Sequence, residues 1–482
     1  MTLSIATLLL SLVTIIVSLG YHVVLFLAAS LGGALTKLSS EEHYSSVNSV
    51  DAVGSVADKL LTIILPIKNE PIDLVVSSLK NKVEVLRSLK RGEVVVVSDD
   101  SFGYIEDLVR ASSSIDAIPP VVVVKRLRSD GGRSAALDTG ARLSKGEAIM
   151  ILDVDSRIDS ETLVNVMTSF FSTSSEDVIV VPWRAYSSIT NRLSEALVYS
   201  TNVMSFFYYK LRALLGLFIF PLGCGTVIPH KVLRSINFWG WGIIQDDIWL
   251  GTKLALKGIT PRVLNCGYVY VLVPSKLTSL RIQQSRWAYG TSEVLSRSFA
   301  KLLSAPLPVL VKLEMIMYML QPAYSIPMTL SLGLAITAAL EERSFDLLQV
   351  IAGNPLLMFL VFLAGVITVL YIVYQLWMGM HVVQGDFRNI VVQLGRNAAA
   401  LGVLTPILAV YSLLGLMRRG IPYKITPKGR HEKILGRDIT LYILAIPLFI
   451  GVVAAVLNSN YVALTVLLPF VITEVYALLR IP

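Results

Sequence analysis

Apolar positions follow two patterns along this chain. From Leu3 to Leu35, and again beyond Pro306, they form long runs with few polar interruptions; between about Leu61 and Ala300 they form short runs separated by polar stretches. The short runs Leu61–Ile67, Glu93–Ser98, Pro120–Val124, Ala148–Leu152 and Val178–Pro182 have the length and β-branched content of strands. Between them, Pro71–Leu89, Tyr104–Ala111, Ser134–Leu143 and Ser160–Phe171 carry helical spacing. Alternating units of this kind predict a mostly parallel sheet flanked by helices, with ligands at the carboxyl ends of its strands.

The long runs predict membrane helices. Candidate spans after the α/β region are Val309–Ala339, Pro355–Met380, Ile439–Leu457 and Ala463–Leu479. Asn191–Leu217 and Ser279–Ala300 are amphipathic and suit helices lying on the membrane surface. Phe387–Leu416 is harder to place, because Ala398–Leu416 is apolar enough to cross. Glu341, Glu342 and Asp346 mark an outer loop, whereas the basic stretch Arg418–Arg437 belongs inside. Those two assignments make Phe387–Leu416 start and end on one side, as an interfacial or re-entrant element.

The expected organisation is an anchor over 1–37, a polar, Ser-rich linker over 38–57 and an α/β domain over 58–277 that includes an interfacial helix within 191–222. A second interfacial helix over 278–305, an apolar hairpin over 306–386, an interfacial helix with a loop over 387–437 and a second hairpin over 438–482 complete it.

Composition sharpens this picture. Hydrophobic residues make up 54% of the 482 residues and charged ones 16%, with a mean hydropathy of +0.66, which a soluble protein of this length rarely reaches. The first apolar stretch lacks a basic start and a small-residue cleavage site, so a retained anchor is favoured over a secretory signal. Cys224 and Cys266 form neither a disulfide framework nor a zinc spacing, and a reducing, cytosolic setting is expected. The net charge of +8 concentrates at Arg418, Arg419, Lys424, Lys428, Arg430, Lys433 and Arg437. Placement beside apolar spans points to anionic headgroups rather than nucleic acid.

Candidate chemistry sits directly after the predicted strands. Pro66, Asn69 and Glu70 follow the first, and Asp99 and Asp100 follow the second. Carboxylates and amides there can bind a nucleoside, although for either motif alone a turn and helix cap is the favoured reading. Gly131-Gly132-Arg133 opens a helix and suits a diphosphate. Asp153-Val154-Asp155 places two carboxylates on one side of an extended segment, a pair that needs a hard cation such as Mg²⁺ or Mn²⁺ unless it is merely an exposed acidic loop. Asp246 and Asp247 precede a helix, as caps or as a general base for a hydroxyl. Gln283, Arg286 and Trp287 share one helical face, which offers a hydroxyl partner, a diphosphate contact and a flat surface for a sugar ring, or else an interfacial anchor.

Taken together, in order from Pro66 to Trp287, these motifs resemble the family 2 glycosyltransferases, inverting enzymes with a GT-A fold. More narrowly they resemble the membrane-embedded processive synthases of cellulose, chitin and hyaluronan, and the span layout extends the similarity over most of the chain. The resemblance implies that Asp99 and Asp100 contact the nucleoside, Arg133 the nucleotide, and Asp153 and Asp155 the metal and diphosphate. It makes Asp247 the catalytic base with Asp246 beside it, and gives Gln283, Arg286 and Trp287 the diphosphate and the acceptor end. Cys224-Gly225-Thr226 is similar to a turn lining the acceptor site, and Tyr423, Thr426 and Lys428 fall in a segment similar to the gating loop. The family's Thr-Glu-Asp triplet is Gln245-Asp246-Asp247 here, and Arg133 stands in place of a common Lys. The doubled Gln283-Gln284 is closer to hyaluronan synthases and the loop to cellulose and mannan synthases, which leaves the sugar unassigned.

The function this implies is transfer of a sugar, with a UDP-sugar as the expected donor, to a growing β-linked polysaccharide that leaves across the membrane past aromatics such as Trp377, Tyr318 and Tyr324. The alternative is a single transfer to a lipid acceptor at the cytosolic face. A membrane scaffold without activity would have little reason to carry the full acidic and Arg-Trp set.

Overall fold

The computed structural model describes residues 2–33, 60–89, 91–115, 119–128, 130–172, 177–342 and 347–482. The expected linker over 38–57 and Asp346 lie outside them.

The α/β unit begins as its apolar runs dictate. β1 (Leu61–Ile67), α2 (Ile72–Leu86), β2 (Gly92–Ser98), α3 (Phe102–Ser112), β3 (Val121–Lys125), α4 (Gly132–Leu143), β4 (Ala148–Ile151) and α5 (Ser160–Ser172) follow the helix α1 (Thr2–Leu31). Then come β5 (Ile179–Val180), β6 (Trp183–Tyr186), α6 (Arg192–Ser205), β7 (Thr226–Pro229), α7 (Asp246–Leu256), β8 (Arg262–Val263) and β9 (Val269–Leu272). The main sheet has seven strands in the order β3-β2-β1-β4-β7-β5-β8, and β6 pairs with β9 in a second sheet of two. β1 and β2 are almost continuously buried, because helices cover both sheet faces. Val75, Leu79 and Val83 of α2 with Leu163 and Met167 of α5 fill one side; Ala136 and Leu137 of α4 with Leu250 and Leu254 of α7 fill the other. This is the mostly parallel sheet flanked by helices that the alternating pattern predicts, and the GT-A-like fold that the resemblance implies.

Register and direction assemble the site. β1, β2 and β4 run parallel, so the segments after Ile67, Ser98 and Ile151 emerge along one edge. β7 is antiparallel to β4, which brings its start, Cys224-Gly225, to that same edge; the Gly225 N–H donates to Ile151 O at 2.8 Å.

Two local expectations are corrected. The strand expected over Val178–Pro182 is only Ile179–Val180; Pro182 has no N–H for the ladder, and the chain crosses there into the β6–β9 sheet. Asp153-Val154-Asp155 is not extended: the strand ends at Ile151 and the acids sit in a turn closed by Ser156 N–H on Asp153 O at 3.2 Å.

The remaining helices are α8 (Leu277–Leu303), α9 (Val309–Leu320), α10 (Ser325–Glu341), α11 (Pro355–His381), α12 (Phe387–Gly402), α13 (Thr405–Leu416), α14 (Ile439–Leu457) and α15 (Tyr461–Arg480). Among the described residues, five helical stretches are long and apolar enough to cross a membrane: α1, α9 continued into α10, α11, α14 and α15. α12 and α13 are bent by 55° at their junction. α11 exposes Phe359, Phe362, Val369 and Val373, an apolar face suited to lipid. Ends of three stretches meet at Glu342, which accepts from Leu3 N–H and Ser4 N–H, each at 3.1 Å, while Asn460 Nδ2 donates to Ser4 Oγ at 3.1 Å.

Candidate active site

One cavity of about 910 Å³ collects most of the residues singled out from the sequence. Pro66, Glu70, Asp99, Arg133, Asp153, Asp155, Cys224, Asp246, Asp247, Gln283, Arg286, Trp287, Tyr423, Thr426 and Lys428 all line it. Asn69, Asp100 and Gly225 stand just behind that wall. Asn69 has φ 50° and donates its N–H to Asp100 Oδ1 at 2.7 Å, which ties the ends of β1 and β2 together. Gly225, at φ 98°, leaves only 3.1 Å between a would-be Cβ and Val181 O, so the turn that presents Cys224 requires glycine.

Where β1 and β2 end, Asp99 is paired with Arg126 at 3.0 Å and Tyr104 Oη donates to Glu70 O at 2.6 Å. Burial, and then the charges of Asp155 and Asp153, push the Glu70 carboxyl up to about 7. Consecutive left-handed glycines, Gly131 at φ 76° and Gly132 at φ 60°, turn the chain into α4.

Arg133, the first side chain after that turn, lies between acids. It donates to Asp246 Oδ2, to Asp153 Oδ1 at 2.7 Å and to Gly223 O at 2.6 Å. A guanidinium fork suits such a multidentate role and an ammonium does not, which gives a physical reason for Arg where Lys is common. Asp247 is held by backbone donors, Gly223 N–H at 3.0 Å and Ile248 N–H at 2.7 Å. Burial and the neighbouring Asp246 charge raise its carboxyl to about 6. The expected capping role is thus partly real, since Asp247 takes the N–H of Ile248, yet both acids also face the cavity.

Asp155 forms an ion pair with Lys428 Nζ at 2.5 Å. Burial opposes the Lys428 charge, yet Asp155 holds its ammonium above the usual range. Arg286 donates to Tyr423 Oη at 2.8 Å and stacks over that ring at 5.0 Å. The segment 423–428 therefore covers the cleft between the acidic turn and the Arg-Trp face. Its far end is fastened by buried Glu432, which accepts from Ser275 N–H at 2.9 Å and Lys276 N–H at 3.1 Å. Burial raises the Cys224 thiol to about 12, so Cys224 is a neutral wall and no nucleophile.

The donor set fits a divalent ion that also binds a diphosphate. Arg133 takes Oδ1 of Asp153 and Lys428 takes Oδ2 of Asp155, which leaves one oxygen on each. Among the described residues no closed cage of three His, Cys, Asp or Glu exists; one or two carboxylates plus substrate phosphates are what Mg²⁺ and Mn²⁺ commonly use.

Beyond Asp247 the cavity continues among the apolar helices, lined by Thr14 and Ser18 of α1, Tyr208, Tyr318, Tyr324, Met328 and Phe470. Trp377 is not among its lining residues and stacks on His381 instead, with ring centres 4.5 Å apart. Sequence motifs gave no signal for Gly223, Arg126 or buried Lys82. Their partners lie far away along the chain, and a single glycine or basic residue is too common to stand out.

Residues 148–340 match the family described as glycosyl transferase family group 2. The chain is 30% identical over 403 residues to a probable glycosyltransferase of Sulfolobus acidocaldarius, spanning 81% of this chain and 84% of that one. It is 23% identical over 242 residues to the poly-beta-1,6-N-acetyl-D-glucosamine synthase of Staphylococcus aureus, covering 50% of this chain and 56% of that relative. Among solved structures it is similar to the mannosyltransferase PcManGT of Pyrobaculum calidifontis, in complex with GDP-Man and Mn²⁺, at 17% identity and a TM-score of 0.48, with 79% and 98% of the two chains covered. Fold and site define a GT-A-like glycosyltransferase bearing apolar helices. The chain belongs to the family 2 glycosyltransferases.

Proposed function

We propose that this protein is an integral membrane enzyme of the cytosolic face that transfers a sugar from a nucleotide sugar, with UDP as the expected nucleotide, to a growing β-linked polysaccharide. The observation that carries this reading is the single cavity joining the acidic turn, Asp247 and the Arg-Trp face to a passage among the apolar helices. Its inner part is lined by Thr14, Ser18, Gln321 and the aromatic Tyr208, Tyr318 and Tyr324, together with the apolar Met328, Leu408 and Phe470. Hydroxyls, an amide and aromatic faces suit a sugar chain.

In this reading Asp99 and Asp100 hold the nucleoside, and Asp153 and Asp155 would hold Mg²⁺ or Mn²⁺ with the diphosphate. When bound, such an ion neutralises the departing diphosphate. Asp247 takes the proton of the acceptor hydroxyl, which attacks the anomeric carbon from the side opposite the leaving group and inverts it. Two backbone N–H donors keep the Asp247 carboxylate aimed, and Asp246 is neutralised by Arg133 so that the base is not crowded by an unpaired charge. Arg286 and Lys428 add cations on the diphosphate side. Trp287 supports the acceptor ring, and closing Tyr423–Lys428 over the cleft excludes water.

The test is product analysis. Purified protein is incubated with labelled UDP- and GDP-sugars, each with Mg²⁺ or Mn²⁺, and nucleotide release and product length are read. A long, glycosidase-sensitive product is expected with one donor; an organic-extractable, monoglycosylated lipid as the sole product overturns polymer synthesis in favour of a single transfer.

A further inference from the structure

The acidic turn is held from below by a helix that none of the sequence motifs touches. Lys82 of α2 is fully buried and donates to the carbonyl of Ser156, the residue after Asp155. Its neighbour Asn81 bonds the next stretch on both sides: Nδ2 donates to Ile158 O at 3.1 Å and Oδ1 accepts from Ile158 N–H at 3.4 Å. Tyr186 Oη donates to Asp155 O at 2.8 Å, and Ser156 Oγ donates to Asp153 O at 2.7 Å. The carbonyls of the turn are thus pinned into the interior while both carboxylates line the cleft.

A lysine without exposed surface is costly, and a neutral carbonyl is a poor compensation for its charge. Burial pulls the Lys82 ammonium down to about 8, and the charges of Asp155 and Asp153 oppose that fall. Arg133 and Lys428 pair the two carboxylates from the cleft side, while Lys82 and Asn81 hold the backbone that carries them from beneath.

We propose that Lys82 is a positioning residue that preorganises the Asp153–Asp155 turn for a divalent ion and diphosphate. The inference rests on the reading that those two acids receive the ion. Groups of this kind, one step behind the ligands, typically change metal affinity by about 10–100-fold when lost.

The experiment uses the purified full-length protein and titrates Mn²⁺ in the presence of UDP or GDP, with free Mn²⁺ read by electron paramagnetic resonance and no sugar donor present. Lys82→Met should weaken Mn²⁺ binding about tenfold. Half-saturating Mn²⁺ and donor KM in the activity assay should rise by a similar factor while kcat falls less. A folded Lys82→Met protein that binds Mn²⁺ as well as the wild type, or more tightly, overturns the proposal, since the ammonium would then be structural or merely repulsive. If Lys82→Met does not fold, Asn81→Ala decides: it loosens the same turn and should shift Mn²⁺ affinity in the same direction, and no shift overturns the proposal. Absence of Mn²⁺ binding in the wild type, or equal binding by Asp155→Asn, overturns the metal reading itself and this inference with it, and is recognised without reference to Lys82.

Discussion

In the proposed reading, Asp247 is a common residue turned into a base. Burial and the adjacent Asp246 raise its carboxyl to about 6, close to where a general base is most effective near neutrality. Since the charged form is the active one, turnover should fall as pH drops through about 6 and level off above it. A rate profile flat across that region would remove Asp247 from the role. Asp247→Asn should lower turnover by at least about a hundredfold without loosening donor binding, because the amide keeps the shape and one acceptor for Gly223 N–H. At this scale the sequence was informative where chemistry is contiguous: Asp99-Asp100, Asp153-Val154-Asp155 and Gln283 to Trp287 each announce themselves after a strand or on one helical face. It was silent where a role is made by distance. Nothing in the chain pairs Lys428 with Asp155 or Gly223 with Asp247 before folding, and Lys82 looks like any helical lysine.

Between elements, legibility tracks length. β1 to β4 have four to seven residues and were readable from apolar runs. β5 and β8 have two each, too short for any period to register. The reversed direction of β7 was equally hidden, although it delivers Cys224 to the acidic turn. The contact of α13 with α8 is another relation that hydropathy cannot convey. A Cβ on Gly415 would collide with Tyr289 O and approach Glu293 N and Ser292 Cβ at 3.0 Å, so the two helices touch backbone to backbone two residues past Trp287. Gly415→Leu should therefore push them apart at a cost of about 1–3 kcal/mol, visible as a lower Tm. It should also disturb the Arg-Trp face, raising donor KM. A Tm and KM equal to the wild type would show that the contact carries neither.

For the molecule as a whole, hydropathy and charge predict sidedness. If α12 and α13 enter and leave on one side, the five apolar stretches put the 418–437 loop with the α/β unit and the Asn458–Asn460 turn opposite. In a Cys266→Ser background, a cysteine at Ser459 should react with an impermeant maleimide only from outside sealed, right-side-out vesicles. A cysteine at Gly420 should react only after the membrane is opened. The reverse pattern, Gly420 labelled from outside and Ser459 only after the membrane is opened, would mean that the bent pair completes a crossing and the topology is inverted beyond it. The acidic and basic loops around the bent pair give the one-sided reading, whereas apolarity alone counts one span more. A passage from the cleft into the helical bundle came only from the family resemblance, since its wall draws on α1, α6, α9, α12 and α15 at once.

The collar at Glu342 bears on how such a bundle is made. α1 carries amide groups that acquire their carboxylate partner more than three hundred residues later in synthesis, and Asn460 later still. It must therefore wait, incompletely satisfied, for the α14–α15 hairpin to be inserted. Slow translation between α10 and α15 would be felt at α1.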